Sequence, residues 1–221
     1  MIKQMLEGTA QQIETCNGCP NQCEYCYEEK KLTLLDTPTI EKNYVQILDM
    51  NFLYQPNAKE RIEELGSKRV NDKVVYYELV CGLDFRLLTQ EIADLLHKNR
   101  FVRPRIAWDY GLEFQMKIKD AIEMLVKAGY QRKEISVFVL YNWKIPYEDC
   151  LRKLDLLKIW NVKVNDCCFD NQTSPNFKPV HWTLEQLKDF RAKCRKHNQM
   201  VLFGIDPELK QNINGGNIAK D

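Results

Sequence analysis

"QQIETCNGCPNQCEYCYE" (residues 11–28) runs from a short strand candidate, QQIET, straight into Cys16, Cys19, Cys23 and Cys26. Four reactive side chains within eleven positions admit a disulfide knot, a zinc site or an iron–sulfur site. The fold around the cluster bears on the choice. In folds built from parallel strands, the loops at the carboxyl ends of the strands carry the chemistry.

Beyond Cys26 two kinds of segment alternate. Short, nearly continuous apolar runs recur as YVQILDM (44–50), VVYYELV (74–80), PRIAWD (104–109), ISVFVLY (135–141) and NVKVNDCCF (161–169). Such runs suit strands buried on both faces of a parallel sheet. Between them lie segments with helical periodicity. NAKERIEELGSK offers Asn57 as an N-cap and Gly66 as a stop, and LTQEIADLLHKN offers Thr89 as an N-cap. EFQMKIKDAIEMLVKAGY carries an Ile118/Ile122/Leu125 stripe and ends at Gly129, a C-cap residue. PYEDCLRKLDLLKIW opens on Pro146 as a first-turn residue, and TLEQLKDFRAKCRKHN forms a last helix. Strand and helix alternating in this way give βαβ units with parallel strands. Six strands fit either an open doubly wound sheet or an incomplete (βα) barrel, and periodicity does not separate the two.

The chain has 221 residues, enough for one large domain that needs no metal or disulfide to fold. We expect one domain over residues 1–210 and a flexible polar tail over 211–221. With 32 basic and 31 acidic residues, net charge is +1, which gives no general electrostatic attraction to nucleic acid or anionic membranes. The N-terminus lacks the apolar core of a signal peptide, and no apolar run approaches the ~20 residues of a membrane span. A cytoplasmic location is expected, where thiols stay reduced. Nine cysteines cannot all pair, so disulfides are disfavoured. Cys81, Cys150, Cys167, Cys168 and Cys194 sit in or beside apolar runs and read as small buried hydrophobes.

Spacing narrows the metal. Structural zinc uses C-x-x-C pairs a dozen or more residues apart, whereas here three residues separate the pairs. The run is not the ferredoxin pattern either. It contains Cys19-x₃-Cys23-x₂-Cys26, three thiolates able to wrap one face of a cubane and leave the fourth iron open. This triple, with Tyr25 before its last cysteine, resembles the signature loop of the radical S-adenosylmethionine (radical SAM) superfamily. LDMNFL, GLDFRLLTQEIADLL, AWD and VLYNW also resemble its core segments, so the resemblance covers residues 10 to 170. Cys16 would break the pattern and is left outside the ligand set as a nearby free thiol.

The resemblance implies a partial (βα)₆ TIM-like barrel with outer helices and a 4Fe-4S cluster on Cys19, Cys23 and Cys26. It implies S-adenosylmethionine chelated to the open iron, an electron donor of flavodoxin or ferredoxin type, and a 5′-deoxyadenosyl radical that abstracts hydrogen. The superfamily's Gly-Gly-Glu stretch is missing. Asp49 or Asn51 could accept from the cofactor ammonium in its place, or form only an Asx turn. Asp84 and Arg86 offer groups for ribose and carboxylate, or an internal ion pair. Asp109 and Asn142 end the next two strands as cofactor-binding candidates. Asp166, Asp170 and Asn171, at the end of the sixth strand, could face substrate or only cap the next segment. His97, His181 and His197 read as surface or packing residues.

The leading expectation is therefore a radical SAM enzyme, acting as a monomer on an unidentified small-molecule or macromolecular substrate. Three alternatives stand beside it: an activating enzyme that places a glycyl radical on a partner protein, a modifier of a nucleoside or nucleic acid, hinted at by RAKCRKH (191–197), and a non-enzymatic zinc-stabilised binding module.

Overall fold

The computed structural model describes residues 4–7 (backbone only), 10–169 and 179–204. Asp170, Asn171 and the tail lie outside the described residues.

Two strands, β1 (Gln4–Glu7) and β2 (Ala10–Ile13), form an antiparallel hairpin. Parallel to β2 run β3 (Tyr44–Ile47) and then β4 (Tyr76–Leu79), in the order β1-β2-β3-β4. A second parallel sheet holds β5 (Arg105–Trp108), β6 (Ser136–Tyr141) and β7 (Lys163–Cys168), with β6 in the centre. Just past β4, Leu83 joins the two sheets. Its N–H donates to Arg105 O at 2.6 Å, and its carbonyl accepts from Ala107 N at 3.0 Å. Six parallel strands thus succeed one another in chain order. Among the described residues nothing pairs β7 back to β1, so the row does not close into a barrel.

Five helices alternate with the strands: α1 (Ala58–Ser67), α2 (Gln90–Lys98), α3 (Gln115–Ala128), α4 (Tyr147–Trp160) and α5 (Leu184–Phe203). The expected apolar stripe of α3 is buried, with Ile118, Ala121, Ile122 and Leu125 all at 0 % exposure. Each such large side chain contributes roughly 1.5–3 kcal/mol on burial. Thr89 caps α2 by accepting from Ile92 N, and Gly129 ends α3 in the left-handed region (φ +117°). A methyl group at Gly129 would meet the His97 ring at 2.7 Å. Two expectations are corrected. Asn57 makes no capping bond to α1, and Pro146 precedes α4 rather than starting it.

The run VVYYELV is also not one strand. Lys73–Val74 pairs with Arg69–Val70 in a separate tight hairpin whose turn residues, Asn71 and Asp72, both have positive φ. That is the geometry of a type I′ turn, which suits Asn and Asp.

Along β5 the faces alternate. Ile106 and Trp108 are fully buried, while Arg105 and Ala107 turn to the other face. On that second face polar side chains form a layer across the strands. Gln12 Nε2 donates to Gln46 Oε1 (3.2 Å), and Gln46 Nε2 to Glu78 Oε2 (3.4 Å). Tyr44 OH and Arg105 also donate to the buried Glu78 carboxylate, and Asn165 Nδ2 reaches Ser136 Oγ at 3.3 Å. Each of the six parallel strands supplies at least one member. The layer leaves the space above it, at the carboxyl ends, free for a cavity.

His197 on α5 is 4 % exposed, with Nε2 2.7 Å from Val162 O. Burial lowers its pKa below the ordinary 6.5. The unfolded chain takes up the proton first as pH falls through that range, so stability is lost on acidification from about pH 6.5. The slope reaches at most about 1.4 kcal/mol per pH unit. We expect the urea midpoint to fall between about pH 7.5 and 5.5, and His197→Gln to flatten that dependence.

Candidate functional site

The cysteine loop leaves β2 through Thr15, and one buried carboxylate fixes its origin. Asp49 Oδ1 accepts from Thr15 N at 2.7 Å and Cys16 N at 3.2 Å. Its Oδ2 accepts from Thr15 Oγ1 and, at 3.1 Å, from Gln55 Nε2. Burial pushes the Asp49 carboxyl up, against the pull of the Thr15 and Cys16 hydrogen bonds. Further along, Cys16–Asn17 pairs with Thr33–Leu34, and Cys19 N donates to Glu29 O at 2.8 Å. Gly18 stands at the pinch with φ +76°, where a Cβ would lie 2.1 Å from Lys31 O. Only glycine fits there.

The loop covers a cavity of about 850 Å³ at the carboxyl ends of the strands. Cys19, Cys23 and Cys26 all stand in its wall, and Cys16 does not. Cys16 is 2 % exposed, and burial together with Asp49 pushes its thiol well above the ordinary range. A thiolate is disfavoured at that position. Cys23 and Cys26 are half-buried and Cys19 is buried at the cavity wall.

Among the described residues no three His, Cys, Asp or Glu side chains converge closely enough to hold a single ion. One tetrahedral ion with sulfur ligands at ≈ 2.3 Å needs its donors within roughly 4 Å of each other. A cubane puts each thiolate on a different iron, so its donors stand farther apart around a common space. Cys19, Cys23 and Cys26 are the thiols on the cavity wall that could hold such a group.

The remaining candidates divide. Asn51, Asp84, Arg86 and Asp109 line the cavity. Asp49 and Asn142 do not, and each is occupied within the protein. Asn142 Oδ1 accepts from Val180 N (2.9 Å), His181 N (3.3 Å) and Trp182 N (3.4 Å), and its Nδ2 donates to Phe169 O (3.1 Å). It clips the end of β6 to the chain after β7.

Asp84 accepts from Arg86 Nη2 at 2.5 Å, Arg86 Nε at 2.8 Å, Asn21 Nδ2 at 3.1 Å and Asn51 Nδ2 at 3.3 Å. Burial acts to raise its pKa, but the Arg86 and Asn21 bonds outweigh that and hold the carboxyl low. The Asp84–Arg86 ion pair is therefore realised, and the guanidinium also lies 5.4 Å from the centroid of the Tyr110 ring. Asp109 Oδ2 accepts from Tyr25 OH at 2.8 Å, and Cys23 Sγ lies 3.7 Å from Tyr110 OH. Asp166 stands on β7 in an ion pair with Arg191, 3.5 Å from its Nε.

Three further cysteines belong to the same wall: Cys81, Cys167 and Cys168. Reading them as buried hydrophobes missed this. Strand alternation carried the signal, since Cys167 shares a face with Asn165 and pairs with the cavity-lining Leu140. Cys167 is exposed to the open cavity, yet the protein around it withdraws solvent and pushes its thiol up to about 11, so it is protonated at neutral pH.

Neither a protein-family model nor a curated protein matches the chain.

Asp49→Ala would leave buried donors of Thr15, Cys16 and Gln55 unpaired. We expect a loss of roughly 2–4 kcal/mol in urea unfolding. We also expect Cys16, resistant in the native protein, to become readily alkylated, because the loop origin is released.

Proposed function

We propose that the chain is a radical SAM enzyme carrying a 4Fe-4S cluster on Cys19, Cys23 and Cys26. One observation supports this above the others. The three thiols of the x₃/x₂ triple share one cavity at the carboxyl ends of six parallel strands, and the extra thiol, Cys16, lies behind it. On this reading the row of strands is a partial (βα)₆ barrel, open between β7 and β1.

When bound, the reduced cluster supplies the electron that cleaves S-adenosylmethionine, and the resulting radical removes hydrogen from an unactivated carbon. The protein's own side chains bind and enclose. Asn51 is 5 % exposed on the cavity wall, and its Oδ1 has no hydrogen-bond partner. It is the acceptor we assign to the cofactor ammonium, in place of Asp49. Asp84, held ionised by Arg86, keeps Asn51 in place through Nδ2. Leu83, Phe85, Phe138 and Leu140 supply apolar walls that exclude water from the reacting centre. A flavodoxin- or ferredoxin-type protein delivers the electron, in the cytoplasm. Among the described residues no helix is long and apolar enough to cross a membrane.

Anaerobic reconstitution with iron and sulfide tests the reading. We expect about four irons per chain, lost on alanine substitution of Cys19, Cys23 or Cys26 and kept in Cys16→Ala. Dithionite should then yield 5′-deoxyadenosine and methionine. Asn51→Ala should keep its iron and weaken cofactor binding about ten- to over a hundred-fold, the worth of one charge-assisted hydrogen bond. Stoichiometric zinc without sulfide, or a four-iron protein that neither binds nor cleaves the cofactor, would overturn it.

A further inference from the structure

Helix α4 carries a fully buried lysine that the proposed chemistry does not use. Lys153 is 0 % exposed. Its Nζ donates to Trp108 O at 3.2 Å and to Tyr110 O, and lies 5.1 Å from the centroid of the Trp108 ring. Those two carbonyls flank Asp109. The Asp109 carboxylate in turn accepts from Tyr25 OH, and Tyr25 sits between Cys23 and Cys26 in the cysteine loop.

Packing alone does not explain this lysine. The other buried positions of α4 hold Cys150, Leu154, Leu157 and Trp160, and an apolar side chain of similar length would fill the same space. Burying an ammonium costs several kcal/mol unless it is hydrogen-bonded and faces an opposite charge. The two carbonyls accept from its amine. Burial still holds that amine below the ordinary lysine range, against the pull of Cys150, Asp109, Glu113 and Asp149. Of these, Asp109 alone is bonded to the cysteine loop. Burial pushes the Asp109 carboxyl up, and the Tyr25 hydrogen bond and Lys153 pull against it.

We infer that Lys153 is a positioning residue for the cysteine loop, acting through the backbone on either side of Asp109 and through the Asp109–Tyr25 hydrogen bond. This rests on the reading that Cys23 and Cys26 are cluster ligands. The two Nζ hydrogen bonds fix the carbonyls, and they fix the direction of the Asp109 carboxyl between them. The carboxyl fixes the phenol, and the phenol holds the loop segment that presents the two thiols. Tyr25 is further supported from the side by Trp143, edge-on with ring centroids 6.3 Å apart.

Thiol labelling of the metal-free chain with a neutral haloacetamide, read by mass spectrometry at each cysteine, tests this. Lys153→Met and Tyr25→Phe should each raise the labelling rates of Cys23 and Cys26 about ten- to a hundred-fold. Cys150 and Cys194, both 0 % exposed in the core, should stay as slow as before. A general loss of stability would raise all four rates together. The double variant should label no faster than Lys153→Met alone, because members of one chain of contacts are not additive. If Lys153→Met does not fold, Lys153→Gln, which keeps a donor but drops the charge, is labelled instead. Unchanged rates at Cys23 and Cys26, additive effects, or a parallel rise at Cys150 and Cys194 would each overturn the proposal. Failure of the wild-type chain to take up iron and sulfide would overturn the cluster reading instead, and the labelling result would still decide whether Lys153 holds the loop.

Discussion

The hydrogen bonds converging on Asp49 are the constraint on which the candidate site depends. A carboxylate at 3 % exposure is costly to bury, and four donors offset that cost. Because two of those donors are the backbone N–H groups of Thr15 and Cys16, the bonds fix where the cysteine loop leaves β2. Everything that faces the cavity from that loop inherits its position from this point. Gly18 then turns the chain where no side chain fits, and the Cys19–Glu29 bond closes the loop on itself. The far side is fastened by longer contacts: Asn21 to Asp84, Glu24 to Lys144, Tyr25 to Asp109.

The order of strands and helices was legible because each element repeats its own period. The Ile118/Ile122/Leu125 stripe could only be a helix face, and ISVFVLY could only be a buried strand. The hairpin around Asn71 and Asp72 escaped because VVYYELV reads as one apolar run. The break between its two strands comes from local turn geometry, which hydropathy does not carry. Asn57 looked like a cap by residue type alone, but its backbone does not take a capping conformation, and its side chain makes no such bond.

The site was legible at its cysteines and less so at its polar groups. A spacing such as x₃/x₂ is a local property, so it survives in the sequence. Whether a strand-end Asp or Asn faces a cavity or the protein is a tertiary property. Asp49 and Asp84 both come after strands, within two and five residues of the strand end respectively. One meets the amides of the neighbouring strand and is consumed. The other meets Arg86, two residues on, and stays at the wall. Asn142 likewise gives both ends of its amide to the backbone. Lys153 could not have been found from sequence, because it lies among charged neighbours on an amphipathic helix.

The polar layer below the cavity divides the labour along each strand. Glu78, Arg105, Gln46 and their partners tie neighbouring strands together, while Ala107, Phe138, Leu140 and Cys167 shape the space above. Stability and selectivity are thus written in separate storeys of one scaffold. The side chains of the upper storey set the size and polarity of the space, and those of the lower storey bond to one another. A lineage of such chains could exchange one guest molecule for another by a few substitutions on the upper storey, with its foundations untouched.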